Sequence, residues 1–197
     1  MIAPLVWFAV GFACGSVPFG WLLGRARGID VRRLGSGNIG ATNVARVLGW
    51  SAGFFTLVAD ATKGAAPTML AQGATATTWS AACAALGAVC GHIFSPFLRF
   101  RGGKGVATAA GAMLVIAPAP TLMAAGVFGF TTYLSGYVSV GSLAAATALP
   151  VLCWAWGTEA SVVGVALVIA LLIWFRHRDN LDRLAKGQEA KLELRRH

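Results

Sequence analysis

The sequence predicts an all-α integral membrane protein with seven transmembrane helices, the N-terminus outside and the C-terminus in the cytoplasm. Three observations carry this expectation. Hydrophobic residues make up 57% of the 197 residues and charged residues only 12%, about half the roughly 25% charged content of a soluble domain. Mean hydropathy is +0.70. The 16 Lys and Arg are bunched: five lie between Arg25 and Arg46, three between Arg99 and Lys104, and seven between Arg176 and Arg196. Only Lys63 falls outside these clusters. Cations collect on the cytoplasmic side of membrane proteins, so the clusters place three polar stretches on one face. Basic clusters also serve nucleic acid, but clusters set between apolar runs are accounted for by sidedness, and no nucleic-acid partner is expected.

Met1 to Gly24 reads as the first span, interrupted by Pro4, Ser16 and Pro18. No basic residue precedes its apolar run, so it does not read as a cleaved signal peptide. Arg25 to Trp50 is a long polar, glycine-rich loop. Ser51 to Gln72 is a second span despite Asp60 and Lys63, and Thr77 to Leu98 a third, containing His92. Gly105 to Arg176 holds four more, broken near Pro118–Pro120, Ser135–Tyr137 and Gly157–Glu159. That is about 18 residues per crossing, close to the lower end of what a bilayer needs; two crossings would keep the same sidedness. Arg176 to His197 is a charged tail with a short amphipathic helix. The whole of 1–197 is expected to be one membrane-embedded domain. Cys14, Cys83, Cys90 and Cys153 lie in apolar segments without metal or disulfide spacing, and read as buried free thiols.

Arg99-Phe100-Arg101-Gly102-Gly103-Lys104-Gly105 breaks the apolar pattern with three cations and three glycines. Gly102, Gly103 and Gly105 would let successive N–H groups face one concavity, and Lys104 would add a full charge, a combination suited to phosphate. The competing reading is a basic turn that anchors the preceding helix. It is not a Walker A motif, because no Ser or Thr follows the lysine.

Residues 35–40 match G-x-G-x-x-G, but an arginine-rich segment precedes them rather than an apolar strand, so the dinucleotide context is missing. Ser36, Gly37, Asn38, Thr42 and Asn43 still offer donors to an anion, and Arg46 a two-pronged guanidinium. Turns use the same residue types. Asp60 and Lys63 stand three apart and share a helix face. Charges inside a span are candidates for function, and both substrate contact and a structural ion pair are open readings. His92 serves either helix packing or substrate contact. Ser142 lies at the cytoplasmic end of the sixth span. His177 and Asn180 sit one helical turn apart beside Arg176, Arg178 and Arg183.

These stretches together resemble the bacterial acyl-phosphate glycerol-3-phosphate acyltransferases, the PlsY family, over essentially the whole chain. The resemblance is carried by Gly-Ser-Val-Pro-Phe-Gly at 15–20, Gly-Ser-Gly-Asn-Ile-Gly-Ala-Thr-Asn-Val at 35–44 with Arg46, and Asp60 with Lys63-Gly64. It continues through Gly91-His92, Ser-Pro-Phe-Leu-Arg-Phe at 95–100, Gly-Gly-Lys-Gly-Val-Ala-Thr at 102–108, and Phe-Arg-His-Arg at 175–178 with Asn180, Arg183, Gly187 and Glu189. It implies a multi-pass enzyme of the bacterial inner membrane that moves a fatty acyl group from acyl phosphate to the 1-hydroxyl of glycerol 3-phosphate. Ser36, Arg46, Lys104, Ser142, His177 and Asn180 are the expected catalytic residues. Gly37, Asn38, Thr42, Asn43, Asp60, Lys63, His92, Gly102, Gly103 and Gly105 are expected to bind substrate, and Glu189 to be structural.

The expected partners are the two substrates, the lipid bilayer and the enzyme that forms the acyl phosphate, with no cofactor and no metal. Acyl phosphate carries its own leaving group, so no covalent enzyme nucleophile is needed, and a donor phosphate oxygen is expected to accept the hydroxyl proton. His177 is then expected to donate a hydrogen bond to phosphate. A competing base-and-orienter pair, His177 with Asp182 as H-x-x-x-x-D, is turned about 500° along a helix at 3.6 residues per turn and is not well aligned. A carrier or channel for an organic phosphate is the competing function.

Overall fold

The computed structural model describes residues 2–75 and 77–192, so Arg195 and Arg196 of the third basic cluster lie outside the described residues. Among the described residues all regular structure is helical. Helices α1 (Ile2–Gly15) and α2 (Phe19–Ala26) are separated by the turn at Ser16–Pro18. Then come α3 (Ala41–Leu48), α4 (Trp50–Ala74) and α5 (Thr78–Ile93), followed by α6 (Val106–Ile116) and α7 (Pro118–Ser135). The chain ends in α8 (Val138–Ala155), α9 (Ala160–Arg176) and the short α10 (Arg178–Ala185).

Three segments are long and apolar enough to cross a membrane by length and composition: Ala3–Ala26, Thr78–Leu98 and Val138–Ala155. A fourth qualifies if α9 and α10, bent by 51° at their junction, count as one. Helix α6, at 11 residues, rises only about 16 Å, half of a hydrocarbon core of roughly 30 Å.

The expected breaks after α6, α7 and α8 are present, each with a local cause. Pro118 opens α7 at a first-turn position, where its missing N–H leaves no bond unmade. Gly136 ends α7 with φ +77°, the left-handed residue that commonly closes a helix. Gly157 follows α8 with φ +72°.

The segment 25–50, expected as a loop, is more ordered than its composition suggests. It holds a 3-10 turn at Val31–Arg33 and the eight-residue α3. Val31, Ile39 and Leu98 form a small apolar cluster against Val47 and Leu48 beneath the polar stretch. Cys14 is exposed, contrary to the expectation, because it faces outward from α1; Cys83 and Cys153 are buried.

Helix α5 is the buried centre of the bundle, and its contact with α1 is made by glycines. A methyl at Gly87 would come 2.1 Å from the Phe8 carbonyl oxygen, and one at Gly91 2.1 Å from that of Phe12. From the other side, a methyl at Gly11 or Gly15 would come 2.1 or 2.0 Å from the carbonyl oxygen of Ala84 or Ala88. Two such pairs at i, i+4 let the backbones touch, the packing that membrane helices use when lipid supplies no hydrophobic drive. The α4–α6 contact repeats it, with Gly64 against Thr108 and Gly111 against Ala61.

Overpacking costs about 1–3 kcal/mol, so Gly91→Val should lower stability by that amount in thermal unfolding of the detergent-solubilised protein. Gly164→Ala, on α9 with open space around it, should leave the transition unchanged or raised.

Candidate active site

The polar loop after α2 is organised by one buried side chain. Asn43, 2% exposed, donates from Nδ2 to the carbonyls of Val31 (3.0 Å), Leu34 (3.1 Å) and Asn38 (2.8 Å). Its Oδ1 accepts the Ser36 amide at 2.8 Å. A side chain on Gly35, φ +59°, would meet Asn43 Oδ1 at 2.2 Å. The Asn38 side chain accepts the Gly40 amide at 2.8 Å, a local turn that asparagine makes readily. Asn43, expected as an anion donor, therefore spends its hydrogen bonds on the loop itself, whereas the Asn38 side chain commits only its Oδ1 to the loop. The hydroxyls of Ser36 and Thr42 and the Arg46 guanidinium remain free of bonds to described residues, and all three line a cavity.

The glycine loop before α6 works differently from the expectation. The amides of Gly102 and Gly103 donate to the carbonyls of Ile93 (3.0 Å) and His92 (3.1 Å), so they are not available to a phosphate. Glycine is required because the backbone lies against His92: a methyl on Gly103 would come 2.1 Å from His92 Nε2, and one on Gly102 2.0 Å from the His92 carbonyl oxygen. Gly105, φ +84°, caps α6 and does face the cavity.

Lys104 is the group this loop delivers. Its ammonium donates to Asn180 Oδ1, and Asn180 in turn donates to Glu189 Oε1. Glu189 also accepts from Ser139 Oγ (2.8 Å) and Arg183 Nε (2.7 Å). Burial opposes the charge on Lys104 and lowers its pKa to about 8, despite the attraction of Glu189. Burial would raise the Glu189 pKa, but its bonds from Asn180, Arg183 and Ser139 outweigh this and hold it below the usual glutamate value.

His177, 2% exposed, bonds through Nδ1 to the Ile173 carbonyl at 2.8 Å. A carbonyl only accepts, so Nδ1 carries the proton. Burial, followed by repulsion from Lys104, lowers the His177 pKa to about 4, leaving the ring neutral with Nε2 as a bare acceptor. The expected donor role of His177 toward phosphate would require its protonation at Nε2. Asp182 is exposed and does not partner Nδ1, so the H-x-x-x-x-D pair is not formed.

Asp60 and Lys63 form a buried ion pair at 2.8 Å, with His92 Nδ1 3.7 Å from the same carboxylate oxygen. Asp60 and His92 reach the cavity wall, while the Lys63 ammonium turns away to the Val17 carbonyl at 2.6 Å. Lys63, Gly37, Gly102 and Gly103 do not line the cavity. Ser142 does, although its hydroxyl donates to the Val138 carbonyl one turn back at 2.8 Å.

The cavity has a volume of about 580 Å³. Its wall includes Arg46, Lys104 and Arg183, together with small and apolar side chains of α6, α7 and α8 such as Ala109, Ala146, Phe128 and Leu149. Ser139 escaped the sequence reading, and Arg183 is named there without a site role, although each lies three residues from a residue selected for the site, Ser142 and Asn180, and so on a shared helix face.

A cavity lined by cations and by apolar side chains suits an anionic head on an acyl chain. The glycerol-3-phosphate acyltransferase family model matches residues 5–187. The chain belongs to this family. Named glycerol-3-phosphate acyltransferases of Geobacter sulfurreducens and Thermus thermophilus are 43% and 42% identical to it. The matches cover 98% and 95% of this chain, and 100% and 94% of theirs. The crystal structure of PlsY (YgiH), an integral membrane glycerol 3-phosphate acyltransferase in its glycerol 3-phosphate form, matches with TM-score 0.93 and 34% identity, covering 96% of each chain. Its lysophosphatidic acid form matches with TM-score 0.90 over 96% of this chain and 95% of that one. This acyltransferase family member thus has the fold of an integral membrane enzyme.

The lowered lysine pKa is directly measurable. Reductive methylation followed by mass spectrometry should label Lys104 half-maximally near pH 8, well below the ordinary lysine value of roughly 10.4.

Proposed function

We propose that this chain transfers a fatty acyl group from acyl phosphate to the 1-hydroxyl of glycerol 3-phosphate, giving lysophosphatidate and inorganic phosphate. The observation that carries the reading is the single cavity in which three cations meet an apolar channel. Two phosphates must be held close together, and Arg46, Lys104 and Arg183 supply the opposing charge. The channel between α6, α7 and α8 takes the acyl chain, where its burial is favourable by about 0.8 kcal/mol per CH₂.

In the reaction the substrate hydroxyl oxygen bonds to the acyl carbon, and the carbon–oxygen bond to the phosphate breaks after a tetrahedral oxyanion. The free Ser36 hydroxyl and the cationic groups are placed to stabilise that charge. Neutral His177 offers Nε2 to the attacking hydroxyl and orients it. A base whose conjugate acid has a pKa of about 4 holds a proton less well than a phosphate with a second pKa near 6. The hydroxyl proton therefore ends on the departing phosphate rather than on His177. Asn180 aims Lys104, and Glu189 fixes Asn180 and Arg183.

The same reading makes 1–197 one membrane-embedded domain of seven spans in the bacterial inner membrane. The polar ends of α2, α6 and α9 then face the cytoplasm, where the soluble substrate and the acyl-phosphate-forming enzyme would be met.

Purified protein should release phosphate from synthetic acyl phosphate only when glycerol 3-phosphate is present; equal or better activity with acyl-CoA would sink the donor assignment. Arg46→Ala and Lys104→Ala should each lower kcat/KM roughly tenfold to over a hundredfold, the equivalent of about 1.5–3 kcal/mol for a charge-assisted contact. Asp182→Ala should stay within a few-fold of the parent. Because Lys104 must be charged to bind phosphate, kcat/KM should hold below pH 8 and fall above it.

Sidedness is testable separately. Single cysteines replacing Arg32 or Arg101 should resist an impermeant thiol reagent applied to intact cells, and label once the membrane is opened.

A further inference from the structure

Arg176 is the last residue of α9 and, unlike Arg46, Lys104 and Arg183, does not line the cavity. Its guanidinium turns inward and donates to two successive carbonyls, Nη2 to Gly102 at 2.8 Å and Nε to Gly103 at 3.2 Å. These are the peptides immediately before Lys104. Their N–H groups are already bound to the Ile93 and His92 carbonyls of α5. The Gly102–Gly103 backbone is therefore held on both edges, by α5 through its amides and by α9 through its carbonyls.

The turn leading into it is under strain. Arg99 and Phe100 both adopt positive φ, 53° and 62°, a conformation that side chains other than glycine seldom take. The Phe100 amide bonds back to the Ser95 carbonyl at 2.9 Å, and the Ser95 hydroxyl donates to the Ser16 carbonyl at 2.6 Å. A strained turn keeps its shape only when its surroundings over-determine it, and the Arg176 bonds are part of those surroundings.

We infer that Arg176 is a positioning residue that sets where Lys104 stands, by clamping the Gly102 and Gly103 carbonyls to the α9–α10 corner. The same corner supplies the other hold on Lys104. Asn180, four residues after Arg176, receives the Lys104 ammonium. Backbone and side-chain tip of Lys104 are thus referenced to one structural element, which also carries His177. Lysine cannot replace arginine here, because a single ammonium lacks the planar fork that reaches two acceptors at once.

The consequence for catalysis rests on the proposed acyl transfer, but the positioning itself does not, so the test has a readout that needs no substrate. Arg176→Lys and Arg176→Gln are compared with the parent by thermal unfolding, by the pH dependence of Lys104 methylation and by acyl-transfer kinetics. Arg178→Gln, altering an exposed neighbour whose guanidinium stacks over Phe175, is the control for charge. The charged groups acting on Lys104 are Glu189, Arg183, Arg176 and Asp179, and Arg176→Lys keeps all of their charges.

Positioning predicts that Arg176→Lys unfolds near the parental temperature, while half-labelling of Lys104 moves up from about 8 as the amine gains water. It also predicts that kcat/KM falls roughly tenfold to a hundredfold, the loss expected for a charge-assisted hydrogen bond, with Arg178→Gln at the parental value. Parental labelling in folded Arg176→Lys and Arg176→Gln overturns the inference, whatever happens to activity. Failure of both variants to fold overturns it as well, in favour of a purely structural role. A parent that labels as expected but transfers no acyl group strikes only the reaction proposal and leaves the labelling comparison to decide.

Discussion

An ammonium group held partly out of water, on the wall of the cavity, is the constraint around which the polar end of this bundle is built. Removing a cation from water is costly unless a partner compensates. Here compensation is incomplete: Lys104 touches a neutral amide, and the nearest carboxylate, Glu189, is already shared with Asn180, Arg183 and Ser139. The lysine pKa of about 8 records that shortfall. The cavity wall thus holds more positive charge than its surroundings neutralise, which suits it to an anionic ligand.

Glycine serves two separate purposes, and neither is the one its clustering suggests. Between α1 and α5, and between α4 and α6, it removes side chains so that backbones meet. That contact replaces the hydrophobic drive that lipid cannot provide. In the loop before α6 it lets the chain lie on the His92 ring and carbonyl. Neither use presents amides to a ligand. The polar groups left on the cavity wall are side chains, the hydroxyl of Ser36 and the cations, while the glycines decide how closely the elements bearing them approach.

The buried Asp60, Lys63 and His92 join these two themes. Lys63 neutralises Asp60 and ties α4 to the Val17 carbonyl, whereas His92 lies beneath the loop that carries Lys104. An ion pair one turn apart on α4 thus connects the α1–α2 corner to the cavity wall.

Several features were determined by the sequence alone because they depend on residue type and on distance along the chain. The helix breaks at 117, 136 and 157 follow from proline and glycine chemistry, and the pairing of Asp60 with Lys63 from helical spacing. The clustering of cations likewise marked the stretches that supply Arg46, Lys104 and Arg183. Only the tertiary structure decided which polar groups remain available, since a hydrogen bond made to the protein is one not offered to a ligand. Asn43 and the amides of Gly102 and Gly103 look like donors in sequence and are consumed by the fold. Arg176 looks like a membrane anchor and turns inward to two carbonyls. His177 looks free to donate from either nitrogen, and its Nδ1–H is committed to the Ile173 carbonyl. Each outcome rests on partners distant in sequence or on burial, and neither can be read from composition or local spacing.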